Sequence, residues 1–358
     1  MPERNIDVLV TGATGWLGKA LVRALLHGIE GVAGLPVLPA GGKMRLMVLP
    51  GESTEFFKPY ARQTEIVYGD IRSLDDCDRL MLGARGAVLY HIAGVIHPKR
   101  VAEFRAVNVM GTINLLSAAQ KAGVKRVVAV SSNSPVGCNP TSDHVFDENS
   151  PYNPYMGYGR SKMEMEQVVA CVQAEGRLET VCVRAPWFYG PFQPARQSLF
   201  FKMIRDGKVP VVGDGINMRS MTYVDNLAQG LILAGHVGAA NGKVYWIADQ
   251  RPYTMNEIIE TIESVLEEDF SIPCAHKRIV LPTAVGEIAF WLDKGIQLTG
   301  FYCQKIHVLS EMHRTIACSI ALAQEELGYR PSVALRAGMK KSIEWMMKDA
   351  PRVSTGRL

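Results

Sequence analysis

The sequence predicts an α/β fold built on a doubly wound parallel sheet. Three observations carry the prediction: a glycine turn between an apolar strand and an amphipathic helix at the start of the chain, a repeated strand-then-helix rhythm after it, and polar residues gathered just past the strand-like runs. In such a sheet, ligands sit at the carboxyl ends of the strands.

The first element is Asp7-Val-Leu-Val-Thr-Gly-Ala-Thr-Gly-Trp-Leu-Gly18. It reads as a short strand, a turn with Gly12, Gly15 and Gly18, and a helix whose apolar side is Leu17, Leu21, Ala24 and Leu25. The three glycines suit a tight turn, a close backbone approach to a pyrophosphate and close helix–strand packing, in that order. The N–H groups and positive dipole end of the helix would face the anion. Gly28 to Lys43 reads as an inserted surface loop, longer than the usual helix–strand connection. A second strand follows at Met44 to Leu49, and its tip, Leu49-Pro-Gly-Glu52, carries no acid or arginine at the place where one would choose between a ribose hydroxyl and a 2′-phosphate. Glu52 could serve the ribose there, although a charged loop residue is more often simply solvated. The rhythm continues with strands at Glu65 to Gly69, Ala87 to Ile92 and Arg126 to Ser131, and helices at Leu74 to Leu82 and Glu103 to Gly123. Asp70, Ala93-Gly94 and Ser131-Ser132-Asn133 stand just past these strands.

From Pro151 the chain runs through Tyr158-Gly-Arg-Ser-Lys162 into a helix, and the spacing of four places Tyr158 and Lys162 on one face. Beyond Pro186 the rhythm weakens. Helices are expected at 198–207, 225–238 and 254–268, the last opened by a Thr254/Glu257 capping box, with a strand at Lys243 to Ile247.

The bulk properties exclude several classes of function. The 358 residues carry a formal net charge of +4 with the basic residues scattered, which argues against a nucleic-acid track. The N-terminus enters the first strand directly, and no uncharged run reaches membrane-spanning length, so a cytoplasmic protein without a membrane partner is expected. Seven dispersed cysteines with no Cys-x-x-Cys pair indicate neither a disulfide frame nor a metal site.

Taken together, Thr11-Gly-Ala-Thr-Gly-Trp-Leu-Gly18, Gly69-Asp70, Asn108-Val-Met-Gly-Thr112, Val130-Ser-Ser132, Tyr158-Gly-Arg-Ser-Lys162, Arg184-Ala-Pro-Trp-Phe-Tyr-Gly-Pro191, Thr222-Tyr-Val-Asp-Asn226 and Leu327-Gly-Tyr-Arg-Pro331 resemble the extended short-chain dehydrogenase/reductase superfamily, which includes sugar-nucleotide epimerases and 3β-hydroxysteroid dehydrogenases. The likeness runs from Ile6 to about Lys348. It implies a Rossmann-type domain over residues 1–185, to which the strand at 243–248 returns, and a smaller α/β substrate-binding lobe over 186–350. It implies NAD or NADP as cofactor, held by Gly12, Thr14, Gly15, Trp16, Leu17, Asp70, Ile71, Ala93, Gly94, Asn108, Ser131, Tyr158, Lys162 and Pro186. Catalysis would fall to Tyr158 as acid/base, Ser132 holding the substrate oxygen, and Lys162 easing tyrosine ionisation and holding the nicotinamide ribose. The helices 99–122 and 155–175 match the superfamily's usual homodimer surface.

The resemblance leaves two reactions open: reversible oxidation of a secondary alcohol, or epimerisation of a nucleotide sugar through a transient ketone. Non-catalytic dinucleotide binding is a third reading, against which Ser132, Tyr158 and Lys162 together argue. Ser132-Asn133-Ser134 replaces the Thr-Asp-Glu set of the dehydratases, which argues against water elimination. Trp187 stands where epimerases carry an asparagine for the diphosphate, whereas Gly213-Asp-Gly215 and Arg219 resemble the sugar-nucleotide branch, in which the matching arginine grips a phosphate. Asn133, Trp187 and Arg219 are therefore the candidate substrate-binding residues. The apolar run Ile279 to Cys303 is expected to help Trp187 enclose an apolar part of a small-molecule substrate.

Overall fold

A computed structural model describes residues 6–348. Its frame is a seven-stranded, wholly parallel sheet whose strands, in chain order, are Val8–Thr11, Met44–Val48, Thr64–Tyr68, Val88–His91, Arg126–Ser132, Glu179–Ala185 and Val244–Trp246. Across the sheet they lie in the order 7-6-5-4-1-2-3. The order reverses between the first and fourth strands, the switch point at whose carboxyl ends sheets of this kind take their ligands.

Both faces of the sheet are covered, which is why its central strands are apolar rather than alternating. On one side the helices Trp16–His27 and Val224–His236 bury Leu17, Leu21, Leu25, Leu227 and Leu231 against Val10, Val128 and Val183. On the other side Leu74–Leu80, Thr112–Ala122 and Met156–Ala174 bury Leu80, Leu115, Met165 and Val169 against Leu9, Leu89 and Val127. A third apolar cluster lies off the sheet, where Val209–Val212 and the helices Ala195–Arg205, Met255–Ser264 and Leu335–Lys348 bring together Phe201, Ile204, Ile258, Ile262 and Met339.

Several expected elements differ in detail. The helix expected from Glu103 begins at Ala102 and passes through a π turn, Arg105–Gly111, before continuing as Thr112–Ala122. The segment before the third strand holds a 3-10 helix, Glu55–Tyr60, that carries no apolar period. The helix expected at 198–207 starts earlier, at Ala195. At Met255–Ser264, Thr254 accepts the Glu257 N–H at 3.0 Å, but the Glu257 carboxylate turns away to Arg251, so only half of the capping box forms. Arg278–Leu281 pairs in parallel with Val209–Val212, a small second sheet without a sequence signal of its own.

Two buried polar clusters tie sheet to helices. His91 lies between Thr11 at 2.9 Å and Thr112 at 2.8 Å, and burial depresses its pKa to about 3, so it is a neutral strut. Glu166, on the helix Met156–Ala174, takes Arg184 of the sixth strand through bonds of 3.1 and 2.8 Å, and also accepts from Ser131 and Tyr152. The ion-paired side chains are 1% and 3% exposed. Removing one partner strands a buried charge. Glu166→Met is therefore expected to lose about 3–5 kcal/mol of stability, and the double variant Glu166→Met/Arg184→Met to recover most of it. Denaturant unfolding of the three proteins checks this.

Candidate active site

The turn after the first strand is shaped for an anion. Gly12 sits at φ +71°, and a Cβ there would lie 2.7 Å from the Ala93 nitrogen; a Cβ on Gly18 would lie 2.2 Å from the Gly12 carbonyl oxygen. Both glycines are demanded by packing. Gly15 is different, because a Cβ there would meet only the Gly12 carbonyl oxygen, at 3.2 Å. It is the cap residue of Trp16–His27, a helix with no side-chain cap and no acid in its first turn. The first N–H groups of a helix lack intrahelical partners, so this end is left to a ligand. The Trp16 and Leu17 side chains are committed elsewhere, the indole donating to the Pro191 carbonyl at 2.7 Å and Leu17 lying in the core. What they can offer a dinucleotide is backbone.

Thr14 donates to the carboxylate of Glu52. The tip of the second strand is thus folded back onto the glycine turn, and Glu52 is not simply solvated. At the end of the third strand Asp70 pairs with Arg72, whose hydrogen bond holds the Asp70 carboxyl below its usual range. Ile71 packs so closely on Gly111 that a Cβ there would lie 2.7 Å from it.

The π turn presents Asn108, which accepts from the Val95 N–H at 2.8 Å and donates to the Val95 carbonyl and to Ser161, both at 3.0 Å. Asn108 thereby clamps the Ala93-Gly94-Val95 turn to the helix of Tyr158. A Cβ on Gly94 would sit 3.2 Å from the Asn108 carbonyl oxygen and 3.5 Å from the Lys162 ammonium, so the floor beside Lys162 stays open only for glycine. Lys162 is 5% exposed and donates to the Val130 carbonyl at 2.8 Å. Burial lowers its pKa to about 8, partly offset by the Glu166 charge.

Tyr158 is 9% exposed and lies beside Ser132, at the end of the fifth strand. Burial pushes its phenol up to about 12; the Ser132 hydrogen bond works in the opposite direction, and the Glu311 charge adds to the rise. The Ser131 hydroxyl points away from this pair, donating to Glu166 at 2.5 Å. Asn133 is half-buried, and its carbonyl accepts from Val136 and Gly137.

On the substrate side, Pro186 is buried between the sixth strand and Trp187–Tyr189, and Trp187 is half-buried with its ring 5.6 Å from that of Phe200. Arg219 is 8% exposed; it donates to the Glu311 carbonyl, and its Nε is buried with no protein partner. Sequence reasoning missed Glu311, His307 and His97, and took Tyr302 only as part of the apolar run. His307 pairs with the buried Asp293 at 2.7 Å, and His97 bonds the Tyr302 hydroxyl at 2.8 Å. Burial, with Arg196 and His307 adding to it, depresses His97 to about 4. His307 and Glu311 stand four apart on the helix Gln304–Glu311, a spacing that could have marked them as a pair, whereas no local pattern marks His97. The run Ile279 to Cys303 does not line the site as a whole: Phe290 packs on Tyr155 and Tyr302 on Phe104, but Trp291, Leu292, Leu298 and Phe301 are exposed. Gly213-Asp-Gly215 forms a turn tied to Leu281 and Asn256.

Residues 8–248 match the model of the NAD dependent epimerase/dehydratase family. The chain belongs to that family. It is an extended short-chain dehydrogenase/reductase. An uncharacterized protein of Sinorhizobium fredii is 52% identical over 343 residues, covering 96% of this chain and 95% of that protein. The 3 beta-hydroxysteroid dehydrogenase/Delta 5-->4-isomerase of Mycobacterium tuberculosis is 30% identical, with 94% and 90% covered. Among solved structures, a dTDP-glucose 4,6-dehydratase of Streptomyces venezuelae with NAD bound matches with a TM-score of 0.74 at 25% identity, covering 96% of this chain and 98% of that one.

Membership makes this short-chain dehydrogenase/reductase an enzyme using a nicotinamide dinucleotide, and the uncapped helix, the near-open Gly15 and the floor at Gly94 fit that group. Among the described residues no cluster of three potential metal ligands occurs, and no helix is long and apolar enough to cross a membrane. Gly15→Val is expected to abolish NADH binding, because the side chain enters the space where phosphate meets backbone. The thermal midpoint should move by only a few degrees. Titration by nicotinamide fluorescence beside thermal unfolding checks this, and equal affinity in both proteins would refute it.

Proposed function

We propose that this enzyme interconverts a secondary alcohol and a ketone, with Tyr158 as acid/base. The observation that carries the reading is the meeting of the Ser132 and Tyr158 hydroxyls at the carboxyl end of the fifth strand, beside Lys162 and the glycine turn. Ser132 donates a hydrogen bond to the substrate oxygen and so holds it against Tyr158. In reduction the phenol gives its proton to that oxygen; in oxidation the phenolate takes it back. A nicotinamide dinucleotide held there would supply the hydride chemistry at the adjacent carbon; Lys162 would hold its ribose, and Asn108 positions the Gly94 turn beside it. The residues from Pro186 onward, apart from those returning to the sheet, form the substrate lobe. Pairing of the helices that carry Asn108 and Tyr158 would make a homodimer.

One observation favours a second reading. The buried, partnerless Nε of Arg219 is suited to a phosphate oxygen, which a nucleotide sugar would bring. The epimerase would use the same three residues, first to remove and then to return hydrogen on the other face. Glu52, drawn onto Thr14, favours NAD: its carboxylate can accept from a ribose hydroxyl and would repel a 2′-phosphate.

Three expectations follow from these roles. Ketone reduction needs protonated Tyr158, and with the phenol raised to about 12 the tyrosine imposes no fall in rate between neutral pH and about 9, so any step there belongs to Lys162, lowered to about 8. Alcohol oxidation needs the phenolate and should climb roughly tenfold per pH unit over the same range. Tyr158→Phe should keep NADH affinity while turnover falls by about two to four orders of magnitude. Assays on hydrophobic ketones, their alcohols and nucleotide sugars check both; near-normal turnover in Tyr158→Phe removes the tyrosine from the mechanism. Turnover of a nucleotide sugar without net cofactor change establishes the epimerase reading. NAD should bind roughly tenfold more tightly than NADP, and Glu52→Ser should narrow the gap. Competitive titration of the two cofactors decides it.

A further inference from the structure

We infer that the helix Thr283–Leu298 is a docking face for an anionic lipid surface. Of the 21 large apolar side chains that are exposed among the described residues, eight fall between Ile279 and Val308. On the helix itself Ile288, Trp291, Leu292 and Leu298 are 59%, 64%, 54% and 82% exposed, and they recur at a helical spacing. The opposite side, with Gly286, Ala289 and Asp293, is the one packed on the protein. The helix is therefore apolar on both sides, and only one side is satisfied by the fold.

The charges around the face select its occupant. Lys294 is the exposed ion on the outer side, its ammonium 5.0 Å from the Trp291 ring centre, and Arg100 lies 5.1 Å from the Phe301 ring centre. Lys99 and Lys305 are also exposed at this edge. Of the nearby acids, Asp293 is buried on His307 and Glu287 pairs with His313 and Arg314, while the exposed Glu103, bonded to the Arg100 N–H, stands against the four cations Lys99, Arg100, Lys294 and Lys305. An apolar stripe of Trp, Leu and Ile edged by cations suits a headgroup boundary, with rings at the interface and lysines on anionic lipid. A second copy of the chain fits less well, because a twofold contact would bring like-charged edges together.

The face adjoins the candidate active site. Gln297 accepts from the Gly157 N–H at 2.9 Å, next to Tyr158, and the Tyr302 ring lies 5.5 Å from Phe104, which in turn contacts Tyr158. Between them a cavity of about 530 Å³ opens, lined by His97, Lys99, Arg100, Phe301, Tyr302 and Gln304. Docking would set this opening at the lipid surface. The docking inference rests on the surface alone, not on the reaction assignment.

The test is flotation of the full chain with two kinds of vesicle, phosphatidylcholine alone and phosphatidylcholine with about 30 mole per cent phosphatidylglycerol, at low and high salt. The full chain should float with the anionic vesicles, less so in high salt. Trp291→Ser/Leu298→Ser should abolish flotation with an unchanged thermal midpoint, since both side chains are exposed. Lys294→Gln/Lys305→Gln should weaken it by roughly 10–30-fold. Absence of flotation with the anionic vesicles overturns the inference. So does flotation that survives loss of Trp291 and Leu298, or a wild-type dimer that fails to float and becomes monomeric in Trp291→Ser/Leu298→Ser, which assigns the face to a second copy.

Discussion

The buried pair of Glu166 and Arg184 is the contact on which the catalytic geometry depends. Lys162 and Glu166 are one helical turn apart, so anchoring Glu166 to the sixth strand also fixes where the lysine enters the site. Ser131 and Tyr152 fill the remaining acceptor positions, drawing in the fifth strand just before Ser132. Two strands and the helix are thereby held in one register. An apolar substitute could match the stability, but it would leave Lys162 buried with no opposing charge nearby. Glu166 is what keeps the lysine from falling further than about 8.

That balance also accounts for the tyrosine. Lys162 donates to the Val130 carbonyl, while burial, the largest influence on the phenol, carries it to about 12 against the opposing Ser132 hydrogen bond. The lysine lies beside the space at Gly94, 3.5 Å from where a Cβ there would stand. Asn108 serves the same space from the other side, and it reaches Val95 and Ser161 because the helix widens into a π turn there. Such widenings cost regular hydrogen bonding and occur most often at functional positions.

The sheet was legible, and the candidate site could be named, because each has a strong local signal. Gly12, Gly15 and Gly18 have fixed spacing for steric reasons, and Tyr158 and Lys162 share a helix face because of the helical period. Asn108 could be placed on a helix, but not on its π turn, since a single inserted residue leaves no mark in an apolar pattern. The small sheet of Val209–Val212 and Arg278–Leu281 joins segments far apart in sequence, which no local pattern specifies. His307 finds Asp293, and His97 finds Tyr302, only through tertiary packing, and Glu257 chose Arg251 over its own helix end.

The apolar run from Ile279 shows a deeper limit of pattern reading. Periodicity reveals a face only when the other face is polar. Here Ala289 and Phe290 face the protein while Ile288, Trp291 and Leu292 face outward, so neighbouring positions are apolar on both sides. A sequence window cannot tell such a helix from one buried all round. What separates them is the charge beside the stripe: Asp293, the acid within it, turns inward to His307, and Lys294 turns outward over Trp291. A helix meant for a core would have no use for that outward lysine. One that meets a lipid headgroup layer uses both the cation and the ring beneath it.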